Sequence, residues 1–210
     1  SLGVSSANND GIWTNIGGAI AKVAREGDQV PGLPAGITFE SFREILVADD
    51  GSVCFSGFVD GPGVNSSNDG CLWSNASGSL RVLMREGDQA PGTDGALIKS
   101  IIRFTRNNND LVGIVADMVT GIGDATGGST EALWLSNPET TELDLALRTG
   151  MNFEITPGDS RTVKIIKLDK STNVPGAGGG SGRVSNDSDH LAVILDYNLG
   201  SGVFILGRLP

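Results

Sequence analysis

The sequence predicts an all-β chain of antiparallel repeats, each of about four strands at a period of about sixty residues, arranged like a β-propeller. Open stacked β-sheets, or a β-sandwich completed by a neighbouring chain, are the alternatives. Three observations carry this reading. Trp13 in GIW, Trp73 in CLW and Trp134 in ALW stand 60 and 61 residues apart, and Phe204 in GVF follows after 70. Short runs of Val, Ile and Leu are separated by Asn, Asp, Ser and many of the 31 glycines, which is how short strands joined by turns read. No segment sustains an apolar stripe at 3,4 spacing over three turns, so little helix is expected.

The elements follow in order. The 210-residue chain is read as one domain over 1–210, since that length supports either one core or a short repeat array. It divides into a partial repeat 1–47, repeats 48–107 and 108–168, a Gly-rich insertion 169–186 and a partial repeat 187–210. Residues 16–25 are the longest helical candidate, but their repeat partner contains Leu80, Val82 and Leu83, so they are read as strand. The second copy shows four strands most clearly, at 52–59, 71–75, 80–85 and 97–106. In the third strand, Val23-Ala24, Leu83-Met84 and Ala146-Leu147 are consecutive apolar pairs. Neighbouring residues of a strand point to opposite faces, so both faces of this strand are expected to be buried. The opening SLGVSSANNDG matches the loop PGVNSSNDG ahead of a second strand, giving a phase of three, four, four and two strands, about 13 in all.

Charge narrows the partners. A formal net charge of -10 with only 15 Lys plus Arg gives no basic face to displace counterions, which argues against nucleic acid and anionic membranes. No apolar run reaches 18 residues and no signal-type segment is visible, so no membrane insertion is expected of this chain.

The string REGDQVPG at 25–32 recurs as REGDQAPG at 85–92 and in altered form as RTGMNFEITPG at 148–158. Arg25 and Asp28, Arg85 and Asp88, with Glu26 and Glu86, have the residue types for paired-carboxylate acid-base chemistry beside an arginine. The competing reading is a corner of the scaffold, with Arg25, Asp28, Arg85, Asp88 and Arg148 as structural turn residues. It is preferred, because a catalytic centre is rarely repeated around a scaffold and the third copy lacks both acids.

A turn that leads into each first strand also repeats: ADDGSVCF (48–55), NNDLVGIV (108–115) and DSDHLAVI (187–194). This segment resembles the NxxGxxAF repeat of bacterial surface-anchored tandem-repeat proteins, whose repeats also carry GIW and REGDxAPG strings. The resemblance covers nearly the whole chain. In this alignment Ala48 and Cys54 replace the motif's Asn and Ala, and Leu111 and His190 replace its Gly. The resemblance implies an exported, β-rich protein of the cell surface with no established activity, and it transfers no catalytic residue. Export also bears on Cys54 and Cys71, placed on adjacent strands at a separation that would allow a disulfide. Two buried thiols are the alternative.

Four further features are weighed. Asp187 and Asp189 have the alternate spacing that lets two carboxylates face one calcium ion, against ordinary turn chemistry in NDSD. His190 and Tyr197, the sole histidine and tyrosine, would suit β-elimination of an acidic polysaccharide, against their reading as replacements for Gly51 and Phe58. GAGGGSG at 176–182 lacks the Lys-Ser/Thr and helix of a phosphate cradle and reads as a surface loop. The tryptophans are either sugar-stacking platforms or repeated core. The functional expectation is a non-catalytic extracellular β-repeat module for adhesion, display or self-assembly. Its partners would be other copies or surface proteins at sheet edges, and the alternative is a carbohydrate-binding or polysaccharide-degrading protein.

Overall fold

A computed structural model describes residues 3–15, 18–136, 142–168 and 185–207. Its described residues form 14 strands and no helix, so the chain is all-β. Every pairing is antiparallel. Strands β1 (Gly11–Thr14) and β2 (Ala21–Arg25) form a hairpin. Strands β3 (Thr38–Val47), β4 (Val53–Asp60), β5 (Gly70–Ser74) and β6 (Arg81–Arg85) form a meander in chain order. A second meander holds β7 (Ile98–Arg106), β8 (Val112–Met118), β9 (Glu131–Ser136) and β10 (Leu143–Arg148). The last sheet runs β11 (Asn152–Thr156), β12 (Asp159–Lys167), β13 (Leu191–Tyr197) and β14 (Gly200–Leu206). Strand β11 is the one the repeat pattern did not foresee: TPGD at 156–159 closes a hairpin rather than a bare loop.

The strands gather into two compact units, 1–88 and 89–210, where the sequence was read as one domain over 1–210. In the first unit, Ile12 and Ala24 of the hairpin pack with Phe39, Val53, Phe55, Val59, Cys71 and Trp73. In the second, Leu111, Val115, Leu133 and Leu135 pack with Val163, Ile166, Leu191, Val193 and Leu195. Each core therefore lies between two facing sheets, with apolar residues alternating along the strands.

The sheets are offset by one strand from the sequence repeats. Repeat 48–107 runs from β4 to β7, but β7 pairs with β8 rather than β6. The short turn between β7 and β8 favours a hairpin between them, whereas the REGD turn and the Pro-Gly bend carry the chain away from β6. The insertion 169–186 falls outside the described residues apart from 185 and 186, as do positions 16 and 17 of the first partial repeat.

Backbone geometry also corrects the alignment of the NxxG turn. The left-handed residues are Gly51 (φ 81°), Asp110 (φ 66°) and Asp189 (φ 58°), so Asp110 and Asp189, not Leu111 and His190, stand in the glycine slot. Aspartate tolerates this region where most side chains do not. Ala48, Asn107 and Asn186 are then equivalent, and each donates its N–H to the carbonyl four residues on, at Ser52, Leu111 and His190 (3.0–3.1 Å). Two copies thus do carry the motif's asparagine. Asn107 Oδ1 accepts the N–H groups of Asn109 and Leu111, both at 2.9 Å, and Asn186 Oδ1 does the same for Ser188 and His190, both at 3.0 Å. At Ala48 the task passes to Asp50, whose Oδ1 accepts the Ser52 N–H at 2.9 Å.

The disulfide expectation is overturned. Cys54 pairs in register with Ser74, and Cys71 with Gly57. Positions 54 and 57 are an odd number of residues apart, so the two side chains leave opposite faces of one sheet. Both are buried thiols, not bonded to each other. Burial pushes the Cys71 thiol up to about 12, with Arg85 pulling the other way.

Candidate functional site

The repeated RE(T)GD corner is where charged side chains concentrate, and each residue has a defined task. Strands β2, β6 and β10 end in Arg25, Arg85 and Arg148. Each Nε donates to a carbonyl of the turn that precedes the neighbouring strand, at Asn8, Asn68 and Ser129, all at 2.8 Å. The next residue closes the ladder: the N–H groups of Glu26, Glu86 and Thr149 donate to the carbonyls of Asp10, Gly70 and Glu131 at 2.9–3.0 Å. Its side chain then accepts the N–H returned by the same partner. Glu26 Oε2 lies 3.1 Å from Asp10 N, Glu86 Oε2 3.3 Å from Gly70 N, and Thr149 Oγ1 3.2 Å from Glu131 N.

The third copy therefore keeps the clamp with a hydroxyl where the others use a carboxylate. The sequence showed RTG as decay; the equivalence of Thr and Glu as acceptors is visible only in the pairing. The glycine that follows is required by backbone geometry, with φ of 76°, 81° and 85° at Gly27, Gly87 and Gly150. A Cβ on Gly87 would also stand 2.9 Å from the Asn68 side chain.

The acids of this corner are thus held away from a common centre. Asp28 pairs with Lys22 at 2.6 Å on the surface. Burial holds the Asp88 carboxyl above its usual range, with Arg85 acting against the shift. Gln29 braces the following bend: its Oε1 accepts the Gly36 N–H at 2.8 Å, and its Nε2 donates to the carbonyls of Val30, Leu33 and Pro34 at 3.1–3.3 Å. The corner also staples successive strands. Gly27 N donates to Phe39 O and Phe39 N to Asp28 O; Gly150 N donates to Val163 O and Val163 N to Met151 O, all at 2.8–3.1 Å.

Asp187 and Asp189 are engaged within the second unit. Asp187 carboxylate oxygens accept Asn108 N and Nδ2 at 3.2 Å each, and Asp189 Oδ1 accepts Asn107 Nδ2 at 2.8 Å. They tie two turns together. Among the described residues no group of three or more His, Cys, Asp or Glu is arranged around one point for a metal.

His190 and Tyr197 flank opposite ends of β13, roughly 20 Å apart at the rise of a strand, so they cannot act on one bond. His190 Nδ1 lies 3.4 Å from Asn186 Nδ2. Tyr197 packs edge-on against Phe153 and Phe204, and its hydroxyl donates to Ser201 O at 3.4 Å.

The tryptophans divide. Trp73 and Trp134 are fully buried, but Trp13 is 49% exposed. Its ring lies across Gly11, where a Cβ would come within 2.4 Å of it. Phe204 crowds Gly202 in the same way, at 3.2 Å, so a side chain at Gly11 or Gly202 would displace the aromatic two residues on.

One group was not singled out from sequence. Glu131 Oε1 accepts the Ile166 N–H at 2.6 Å, and burial, opposed by that bond and reinforced by Asp117, raises its carboxyl above the usual range. It borders a cavity of about 380 Å³ with Ile102, Arg103, Ile165 and Ile194. A glutamate opening an apolar strand, EALW, is the signal that could have found it.

Neither a curated protein nor a solved structure matches the chain. One protein-family profile does match, over residues 1–209, and the chain therefore belongs to the family of unknown function DUF7453.

Proposed function

We propose that the protein is a non-catalytic β-repeat module, exported to the cell surface, that serves adhesion, display or self-assembly in a propeller-like array. The observation that carries the reading is the threefold arginine clamp. The residues with the most catalytic appearance are spent on backbone carbonyls and N–H groups of turns, in the same geometry at each repeat, as a scaffold requires. The resemblance to surface-anchored repeat proteins supports the location. Electron microscopy and sedimentation of the purified chain over a range of concentrations, with calcium and with chelator, test this. Concentration-dependent oligomers or filaments are expected; a chain that stays monomeric throughout overturns the self-assembly reading.

A second reading, glycan binding, is favoured by one observation. Trp13 is 49% exposed, and an exposed indole is a surface on which a sugar ring stacks. Saturable quenching of tryptophan fluorescence by an oligosaccharide, lost in Trp13→Ala, would establish it.

A further inference from the structure

The chain contains a stacking rule, used twice, that assigns a partner to two sheet faces with exposed apolar side chains. In each unit a sheet turns one face toward the sheet that follows it in the chain. Ile12 and Ala24 of the β1–β2 hairpin are covered by Phe55 and Trp73 of the β3–β6 sheet. Val115, Leu133 and Leu135 of the β7–β10 sheet are covered by Leu191, Val193 and Leu195 of the last sheet, with Phe204 packed alongside.

The leading face of a sheet therefore carries the residue just before its aromatic, and the trailing face carries the aromatic itself. Among the described residues, two sheet faces expose large apolar side chains. On the last sheet, Val203 and Ile205 are 68% and 71% exposed, beside their cross-strand partners Ile194 and Ala192. On the hairpin, the trailing face exposes Trp13, opposite Lys22 in the register.

Resting on the self-assembly reading, we propose that the leading face of the last sheet of one copy stacks on the trailing face of the β1–β2 hairpin of a second copy. The contact continues the stacking already present inside each unit, with Val203 in the place of Ile12 and Leu133, and Trp13 in the place of Trp73 and Phe204. It is heterologous, since two different surfaces meet, so repetition gives a ring or a filament rather than a closed twofold dimer. Its size is modest. The hairpin sets the limit: two strands at about 4.8 Å spacing and about 15 Å long present roughly 150 Å² per partner, far below a standard stable interface, so the association is weak and driven by concentration.

The test is sedimentation velocity from about 10 μM to about 1 mM, using wild type, the leading-face variant Val203→Lys/Ile205→Lys and the trailing-face variant Trp13→Lys. All three positions are solvent-exposed, and unchanged thermal melts confirm that the variants fold. Wild type is expected to gain mass with concentration and each variant alone to stay monomeric. An equimolar mixture of the two variants should stop at dimers, because one competent pair of faces survives. Variants that assemble like wild type would overturn the proposed faces while leaving self-assembly standing. A monomeric wild type would overturn both, leaving the faces to a different partner.

Discussion

Trp73 and Trp134 fill the same slot in consecutive meanders and are equally buried, but their indole nitrogens differ. Trp134 Nε1 donates to the Pro91 carbonyl at 2.9 Å, whereas Trp73 Nε1 is buried without an acceptor. Trp134→Phe removes the donor to the part-buried Pro91 carbonyl and should cost about 1 kcal/mol more than the loss of ring volume alone. Trp73→Phe removes an unsatisfied donor and should cost less; chemical denaturation of the two variants checks the order, and equal losses would contradict it. Glu131 supplies a pH-dependent counterpart. Its folded carboxyl is raised, chiefly by burial, with Asp117 adding to the shift and the Ile166 N–H and Lys167 opposing it. Its contribution is therefore fully present below the ordinary glutamate range and is lost as pH rises through the raised value. Glu131→Gln keeps an oxygen for the Ile166 N–H and has no charge to desolvate. The variant should match or exceed wild-type melting temperature at neutral pH, with the difference shrinking as pH falls toward the glutamate range. Melting curves across pH report it, and a gain that grows on acidification would contradict the assignment.

At the level of elements, the RE(T)GD corner sets where a strand ends and how the turn before its partner is held. Arg85 is the clearest case, because its Nε bond to Asn68 O pins a turn in which Asn68 Oδ1 also accepts the Asn65 N–H at 2.7 Å. Arg85→Ala should destabilise the first unit by about 1.5–3 kcal/mol, the range for a hydrogen bond to a charged group. Faster amide exchange should be confined to the 65–70 turn and the end of β6. Unaltered exchange there would show that the clamp is idle. The corner was legible as a repeated unit because its spacing recurs; its mechanism was not. Nothing in the letters of RTGM says that a threonine hydroxyl takes over the backbone contact of a glutamate. The offset between sequence repeat and sheet was hidden for a similar reason. Periodicity fixes the length of the unit but not which strand begins the hydrogen-bonded sheet.

For the whole molecule, a formal charge of -10 opposes association of identical copies, and added salt screens that repulsion within about 10 Å at 0.1 M. The apolar stacking proposed here should therefore strengthen when NaCl rises from about 20 mM to about 300 mM, read as a larger weight-average mass at fixed concentration. Association that weakens with salt would point to ion pairs instead of Val203, Ile205 and Trp13.

The sequence by itself determined the all-β class, because short apolar runs and turn residues are local and recur along the chain; the third strand, expected to be buried on both faces, is instead largely half-buried at β2, β6 and β10, since β6 and β10 lie at sheet edges. Tertiary structure alone decided the rest. It separated Cys54 from Cys71 and His190 from Tyr197, since face and distance depend on strand register. It moved the glycine slot to Asp110 and Asp189, since φ is a property of the folded backbone. It also left Trp13 open while closing the β1–β2 hairpin over Trp73, because burial of a strand residue depends on whether another sheet lies against its face.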